Sequence, residues 1–346
     1  MHLLVNTGGG DAPGLNAVLR AVTLSAVRRG FKVTGIHRGY AGLFEPEGEG
    51  LIPLTRDLVR GITDRGGTIL GTVNKGFAED RCAAVVARCN ELGADGLIAI
   101  GGDGSLRIAA QLMDHGLRVI GVPKTIDNDL SCTDETFGFD SAMSFATEAI
   151  GRLTSTAEAH QRVMVVEVMG RYAGWIALYA GIAGAANAIL LPEINYDIER
   201  VCAAIRHRFE TERPFAIVVA AEGACPVGGG FAVKAREAGK EITLGGVAQL
   251  VAAQIAERTG YETRSLVLGH LQRGGTPTPA DRILALRYGG EAVRLAAAGR
   301  WGEMVAWHPP DMRSVPIKDA IAKPKSVPLD SDAIRTARDL GIALGD

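Results

Sequence analysis

Six times along this chain, an apolar run stops abruptly at a turn of glycines or polar residues. "HLLVN" runs into "TGGGDAPG" and then "LNAVLRAVTLSAVRRG", whose Leu15, Val18, Leu19 and Val22 fall on one helical face. "GLIAI" meets "GGDGS", "RVIGV" meets "PKTIDND", and "RVMVVEV" meets "MGRYAG". "FAIVVAA" meets "EGACPVGGG", and "SLVLG" meets "HLQRGG". The runs are continuously apolar instead of alternating, which predicts strands covered on both faces. Strands interleaved with helices predict mostly parallel α/β sheets. Six such units exceed one compact open sheet, and 346 residues suffice for two domains. The expectation is therefore two similar α/β domains, with ligands at the carboxyl ends of the strands in the cleft between them.

Composition narrows the partners. The net charge is −2 and no basic block occurs, so nothing resembles the basic stripe of a nucleic-acid binder. The five cysteines form no C-x-x-C pair, which predicts a reduced, cytoplasmic chain without a zinc site. The N-terminal "MHLLVNTGGGD" enters a glycine turn too soon for a signal peptide. The uncharged stretch Ala173 to Leu191 has the length of a membrane span, but Gly181, Gly184 and Asn187 interrupt it. A buried helix over about 173–184 and a short strand over about 187–191 fit it better. Segment 223–246 reads as a surface excursion before a helix at about 247–258. The proline-rich tail from Trp301 reads as loops with a final short helix.

The unusual residues gather at the turns. In "GGGDAPG", residues 8 to 14, backbone N–H groups before a helix can cradle phosphate, although a plain tight turn would look the same. In "GGDGS", Gly102 and Gly104 let phosphates approach the backbone, and Asp103 either holds Mg²⁺ or caps the next helix. In "PKTIDND", an extended backbone would put Thr125, Asp127 and Asp129 on one side, behind Lys124. One carboxylate there can take a hydroxyl proton while the other binds metal, or the stretch is a solvated turn. It is no calcium loop, because the sixth and twelfth places from Asp127 are Cys132 and Gly138. Arg162, Arg171, Arg264 and Arg273 follow or flank apolar strands, and the arginine fork suits a phosphate group. Glu222 ends another strand and can accept hydrogen bonds from sugar hydroxyls. Two phosphate cradles, a metal acid, a base and an arginine ring point to phosphoryl transfer from a polyphosphate to a phosphorylated alcohol.

In order along residues 9 to 285, "GGDAPGLNA", "RGGTILGT", "IGGDGS", "PKTIDND", "HQRVMVVEVMGRYAG", "ETRSLVLGHLQRGG" and "DRILA" resemble the 6-phosphofructokinase family, phosphofructokinase A type. The resemblance implies two Rossmann-like three-layer domains. One is a donor domain of residues 1–138 plus about 272–325; the other is a sugar-phosphate domain of 139–271 plus about 326–346. It implies ATP-dependent phosphorylation of fructose 6-phosphate with Mg²⁺, in a homotetramer whose sugar-phosphate sites are shared between subunits. Asp127 would be the general base, Asp103 and Asp129 would serve Mg²⁺, and Lys124, Thr125 and Arg171 would support the transferring group. Ile126, Met169, Gly170, Glu222, His270, Leu271 and Gln272 would line the sugar, and Arg162, Arg264 and Arg273 would hold its 6-phosphate. Gly10, Asn74, Lys75, Gly102, Gly104 and Ser105 would meet the donor.

Donor identity turns on two positions. Pyrophosphate users in this family carry an aspartate after "GGD", where this chain has Gly104, and a lysine where it has Lys124. Gly104 favours ATP, since a carboxylate there would repel the α-phosphate. The combination resembles an ATP-using branch, with the pyrophosphate enzyme and a sedoheptulose 7-phosphate kinase as alternatives. A sugar-phosphate sensor would have no need of Asp127. Asn74 stands where bacterial relatives carry an arginine, with Lys75 next to it, and Ile108 replaces a glycine beneath the adenine. Leu24, Thr154 and Asn187 replace charged effector-site residues, implying weak or absent regulation by ADP and phosphoenolpyruvate. A large ADP-induced rate increase at low fructose 6-phosphate would count against that.

Overall fold

The structure is a computed structural model that describes all residues except 47, 74–80, 212, 231–232 and 236–242. In chain order it runs β1 (His2–Thr7), α1 (Leu15–Val27), β2 (Lys32–Ile36), β3 (Leu51–Pro53), α2 (Cys82–Glu91), β4 (Gly96–Gly101), α3 (Asp103–Asp114) and β5 (Val119–Pro123). Then come α4 (Phe139–His160), β6 (Val163–Val168), α5 (Trp175–Ala183), β7 (Ala188–Leu190), α6 (Ile198–Thr211) and β8 (Ala216–Ala221). The rest is β9 (Val233–Ala235), β10 (Thr243–Leu244), α7 (Val247–Thr259), β11 (Thr263–Val267), α8 (Pro279–Ala297), β12 (Glu303–His308), β13 (Asp311–Pro316), α9 (Ile317–Ala320) and α10 (Asp332–Asp339). The chain divides into unit 1, Met1–Ser141 with Arg273–Pro324, and unit 2, Ala142–Gln272 with Lys325–Asp346.

Unit 1 holds a seven-stranded sheet in the order β13-β12-β5-β4-β1-β2-β3. β5, β4, β1 and β2 are parallel neighbours, so β1, β4 and β5 end side by side at one edge. Their apolar runs are buried end to end because helices cover both faces. Leu15, Val18, Leu19 and Val22 of α1 pack with Leu284, Tyr288 and Ala292 of α8 on one face. Residues of α2, α3 and α9 form the core on the other.

Unit 2 holds a four-stranded parallel sheet in the order β11-β6-β8-β7, with the β9–β10 hairpin apart from it. Val201, Cys202 and Ile205 of α6 and Val247, Val251 and Ile255 of α7 pack on this sheet. Glu167 is a charge inside the buried strand β6, and its carboxylate accepts N–H bonds from Gly246 and Ala248, each at 3.0 Å, where α7 begins.

The α/β class expected from the repeated unit is the observed one, and the uncharged stretch 173–191 is indeed a helix and strand, α5 and β7. Among the described residues no helix is long and apolar enough to cross a membrane. Two expectations need correction. "SLVLG" belongs to an edge strand, and Leu266 and Val267 are 39% and 41% exposed, so apolar character there is not burial. The tail is not loops: β12 and β13 pair antiparallel and join the sheet beside β5. Its prolines mislead because Pro309 and Pro310 form the turn between the strands and Pro316 ends the second, both places a sheet tolerates proline.

Candidate active site

Three loops follow the adjacent strands β1, β4 and β5 of unit 1. The Gly8 N–H donates to Ile100 O at 2.9 Å and the Lys124 N–H to Gly101 O at 3.0 Å, which ties each loop to its neighbour. A Cβ on Gly10 would lie 2.7 Å from Arg273 Nη1, so a larger residue there would push this guanidinium away from the loop. Arg273 Nη1 also donates to Asp11 O at 3.1 Å. Lys124 is 3% exposed, and its ammonium donates to Gly10 O. Burial, with help from the Arg273 charge, pulls its pKa from 10.5 down to about 8, against the pull of Asp129, Asp127 and Asp11.

The "TIDND" stretch is not extended. Ile126 and Asp127 form a turn, and Asn128 is left-handed with φ 51°. The Asn128 side chain makes this possible, because its Oδ1 accepts the Thr136 N–H at 3.1 Å. The Asp127 N–H donates to Thr125 Oγ1 at 3.1 Å, and the Thr125 hydroxyl donates onward to the Asp129 carboxylate. The acids therefore still converge, by a tight turn instead of a pleat. Burial raises the Asp129 pKa and the nearby Asp103 charge adds to the rise, while Thr125 and Lys124 oppose it.

Asp103 is the first residue of α3, whose N-cap is Gly102 with no side-chain cap. The capping alternative is thus not realised. Asp103 Oδ2 instead accepts from Arg107 Nε at 2.8 Å. A Cβ on Gly104 would meet nothing within 4 Å, so the space beside the α3 N-terminus is open. The expected donor contacts Asn74 and Lys75 lie outside the described residues, but the Gly9 N–H donates to Val73 O at 3.4 Å, which puts the preceding residue beside the glycine loop.

A divalent cation fits this corner. Asp129 Oδ1 is buried without a hydrogen-bond partner, and Asp103 is close enough to perturb it. Among the described residues no group of three or more His, Cys, Asp or Glu gathers for a metal. Mg²⁺ commonly takes one or two carboxylates and completes its shell with water and substrate phosphate.

Unit 2 carries the other residues. The Glu222 N–H donates to Val168 O at 2.9 Å and the Gly223 N–H to Gly170 O at 3.2 Å, which sets Glu222 beside the Gly170–Arg171 turn. A Cβ on Gly223 would lie 2.0 Å from the Arg171 carbonyl oxygen, so the approach requires glycine. Arg162 and Arg264 both pair with Glu262, at 3.2 and 2.7 Å. Glu262 meets Arg264 by its spacing two residues ahead, but its pairing with Arg162 is set by the β6–β11 register, which the sequence alone does not show. His270 and Leu271 are exposed in a 3-10 turn, Gly269–Arg273, while Gln272 is buried with Nε2 donating to Gly269 O at 3.2 Å. Of the effector-site replacements, Asn187 accepts the Ile217 N–H at 2.9 Å and the Thr154 hydroxyl donates to Ile150 O at 2.9 Å.

The Phosphofructokinase family profile matches residues 2–296. The chain belongs to the phosphofructokinase family. It is 49% identical over 352 residues to the ATP-dependent 6-phosphofructokinase of Chloroflexus aurantiacus, across 99% of this chain and 97% of that one. It is also 49% identical over 334 residues to the pyrophosphate–fructose 6-phosphate 1-phosphotransferase of Amycolatopsis methanolica, across 95% and 96%. Among solved structures, the phosphofructokinase of Saccharomyces cerevisiae superposes with a TM-score of 0.81 at 31% identity. That match covers 93% of this chain and 44% of the yeast one, so this phosphofructokinase-family chain spans less than half of the yeast chain.

Proposed function

We propose that this protein is an ATP-dependent 6-phosphofructokinase, phosphorylating the 1-hydroxyl of fructose 6-phosphate to give fructose 1,6-bisphosphate and ADP in glycolysis. The observation that carries this is the corner of unit 1 where Lys124 meets the Gly8–Gly10 loop, with Thr125 and Asp129 close to it, beside an open α3 N-terminus. Relatives named for this activity match nearly the whole chain.

In the proposed step, Asp127 accepts the hydroxyl proton as the sugar oxygen bonds to the γ-phosphorus. The bond from that phosphorus to the β–γ bridging oxygen breaks, and its electrons leave with ADP. Lys124, Thr125 and Arg171 orient the transferring group and offset its charge. Asp103 and Asp129 would hold Mg²⁺, which when bound neutralises charge on the donor phosphates. Gly10, Gly102, Gly104, Ser105 and, beyond the described residues, Asn74 and Lys75 would meet the donor. Ile126, Met169, Gly170, Glu222, His270, Leu271 and Gln272 would line the sugar, with Arg162, Arg264 and Arg273 at its 6-phosphate. In this reading the donor residues fall in unit 1 and most of the sugar-phosphate residues in unit 2.

A pyrophosphate donor is the second reading, favoured by the buried cation of Lys124 at the glycine loop. The open space at Gly104 supports ATP, whose α-phosphate needs room that pyrophosphate does not. Product formation with Mg²⁺ and ATP, then with Mg²⁺ and pyrophosphate, separates the two. Turnover with pyrophosphate alone would overturn the ATP reading. The partly exposed arginines at Glu262 and the uncovered edge strand β11 support a homotetramer sharing sugar-phosphate sites, a state that sedimentation would measure. The five free cysteines accord with a cytoplasmic location.

A further inference from the structure

Arg107 has no assigned part in the scheme above, yet its guanidinium is anchored at two points. Nε donates to Asp103 Oδ2 at 2.8 Å, and Nη2 donates to Ile321 O at 2.7 Å, the carbonyl that follows α9. An exposed i,i+4 ion pair alone would hold its carboxylate loosely. The backbone anchor changes that, because it fixes the guanidinium plane against a second element of unit 1. Asp103 needs no arginine for helix stability, since an acid in the first turn is already favoured by the dipole.

Asp129 lies close enough to Asp103 for their charges to interact, and its Oδ1 is buried without a hydrogen-bond partner. Engaging Oδ2 of Asp103 leaves its Oδ1 for a cation between the two acids. We propose that Arg107 is a positioning residue, clamping Asp103 so that its free oxygen and that of Asp129 serve one divalent cation. This rests on the reading of Asp103 and Asp129 as the metal acids. Lysine at 107 would present one ammonium and could not span the carboxylate and Ile321 O together.

Mn²⁺ serves as the probe, titrated by electron paramagnetic resonance into full-length protein saturated with a β,γ-imido ATP analogue. In Arg107→Met the Mn²⁺ dissociation constant should rise about tenfold, and in Arg107→Lys by less. KM for fructose 6-phosphate should stay within about twofold, since Arg107 acts on the donor side. Unchanged or tighter Mn²⁺ binding in a folded Arg107→Met protein overturns the proposal. If that variant does not fold, unchanged binding in Arg107→Lys overturns it equally. The titration needs no acceptor sugar, so it decides the role of Arg107 even if fructose 6-phosphate proves not to be the acceptor.

Discussion

Lys124 and Asp129 in unit 1 are charges held away from water, whereas Arg162 and Arg264 in unit 2 lie partly in it and share one glutamate. The first pair shifts its protonation equilibria, because burial penalises each charged form and the neighbouring charges repay that only in part. In the second pair one Glu262 carboxylate offsets one of the two charges, with the Arg264 side chain 58% exposed. A phosphate arriving there exchanges one anion for another at little desolvation cost. A polyphosphate and cation arriving in unit 1 instead complete a cluster that is unbalanced without them. The unit 1 cluster should therefore govern chemistry, and the Arg162–Arg264 pair of unit 2 affinity.

The sharpest way to break this contrast is Asp127→Ser. Removing the base should lower kcat by about a thousandfold or more, with the dissociation constant for fructose 6-phosphate held within a few-fold. Steady-state rates and calorimetry on one preparation read both quantities, and unchanged turnover would exclude Asp127 as the base. Arg162→Ala should do the reverse. Losing a charge-assisted bond to phosphate should raise KM for fructose 6-phosphate about ten- to a hundredfold, with kcat nearly kept. A fall in kcat as large as that of Asp127→Ser would erase the distinction between the units.

The class of fold was legible because buried parallel strands leave uninterrupted apolar runs, as in "GLIAI" and "FAIVVAA". The polar turns between them also marked Lys124, Asp103 and Asp129, since charges directly after a buried strand have few structural uses. What stayed hidden depends on contacts distant in sequence. Arg107 reaches Ile321 O across 214 positions, and Glu262 meets Arg162 only through strand register. Asp281 is another case: it is fully buried, and its carboxylate accepts the N–H groups of Gly138 at 2.8 Å and Ser141 at 2.7 Å. The left-handed Asn128 was hidden for a different reason. Alternating side-chain types suggest a pleat, but the hydrogen bond to Thr136 that selects the turn comes from eight residues away.

Lys124 offers the smallest effect and the finest test of the contrast, because stability and donor affinity should move in opposite directions with pH. Its folded pKa is depressed from 10.5 to about 8, so between those values the unfolded chain binds more protons than the folded one. This lysine's contribution to stability is complete above 10.5 and is lost as pH falls through about 8. Raising the pH from 7 to 9 should thus increase the Lys124 part of the folding free energy, and Lys124→Met should remove that part of the slope in urea titrations. Donor binding wants the cation, so kcat/KM for ATP should decline as pH passes about 8. Bound donor holds the proton on, so kcat at saturating ATP should show the limb at higher pH. Lys124→Arg keeps its charge throughout this range and should move the limb of kcat/KM out of it. An alkaline limb that stays near pH 8 in Lys124→Arg would assign the titration to another group and leave the buried cation without a part in donor binding.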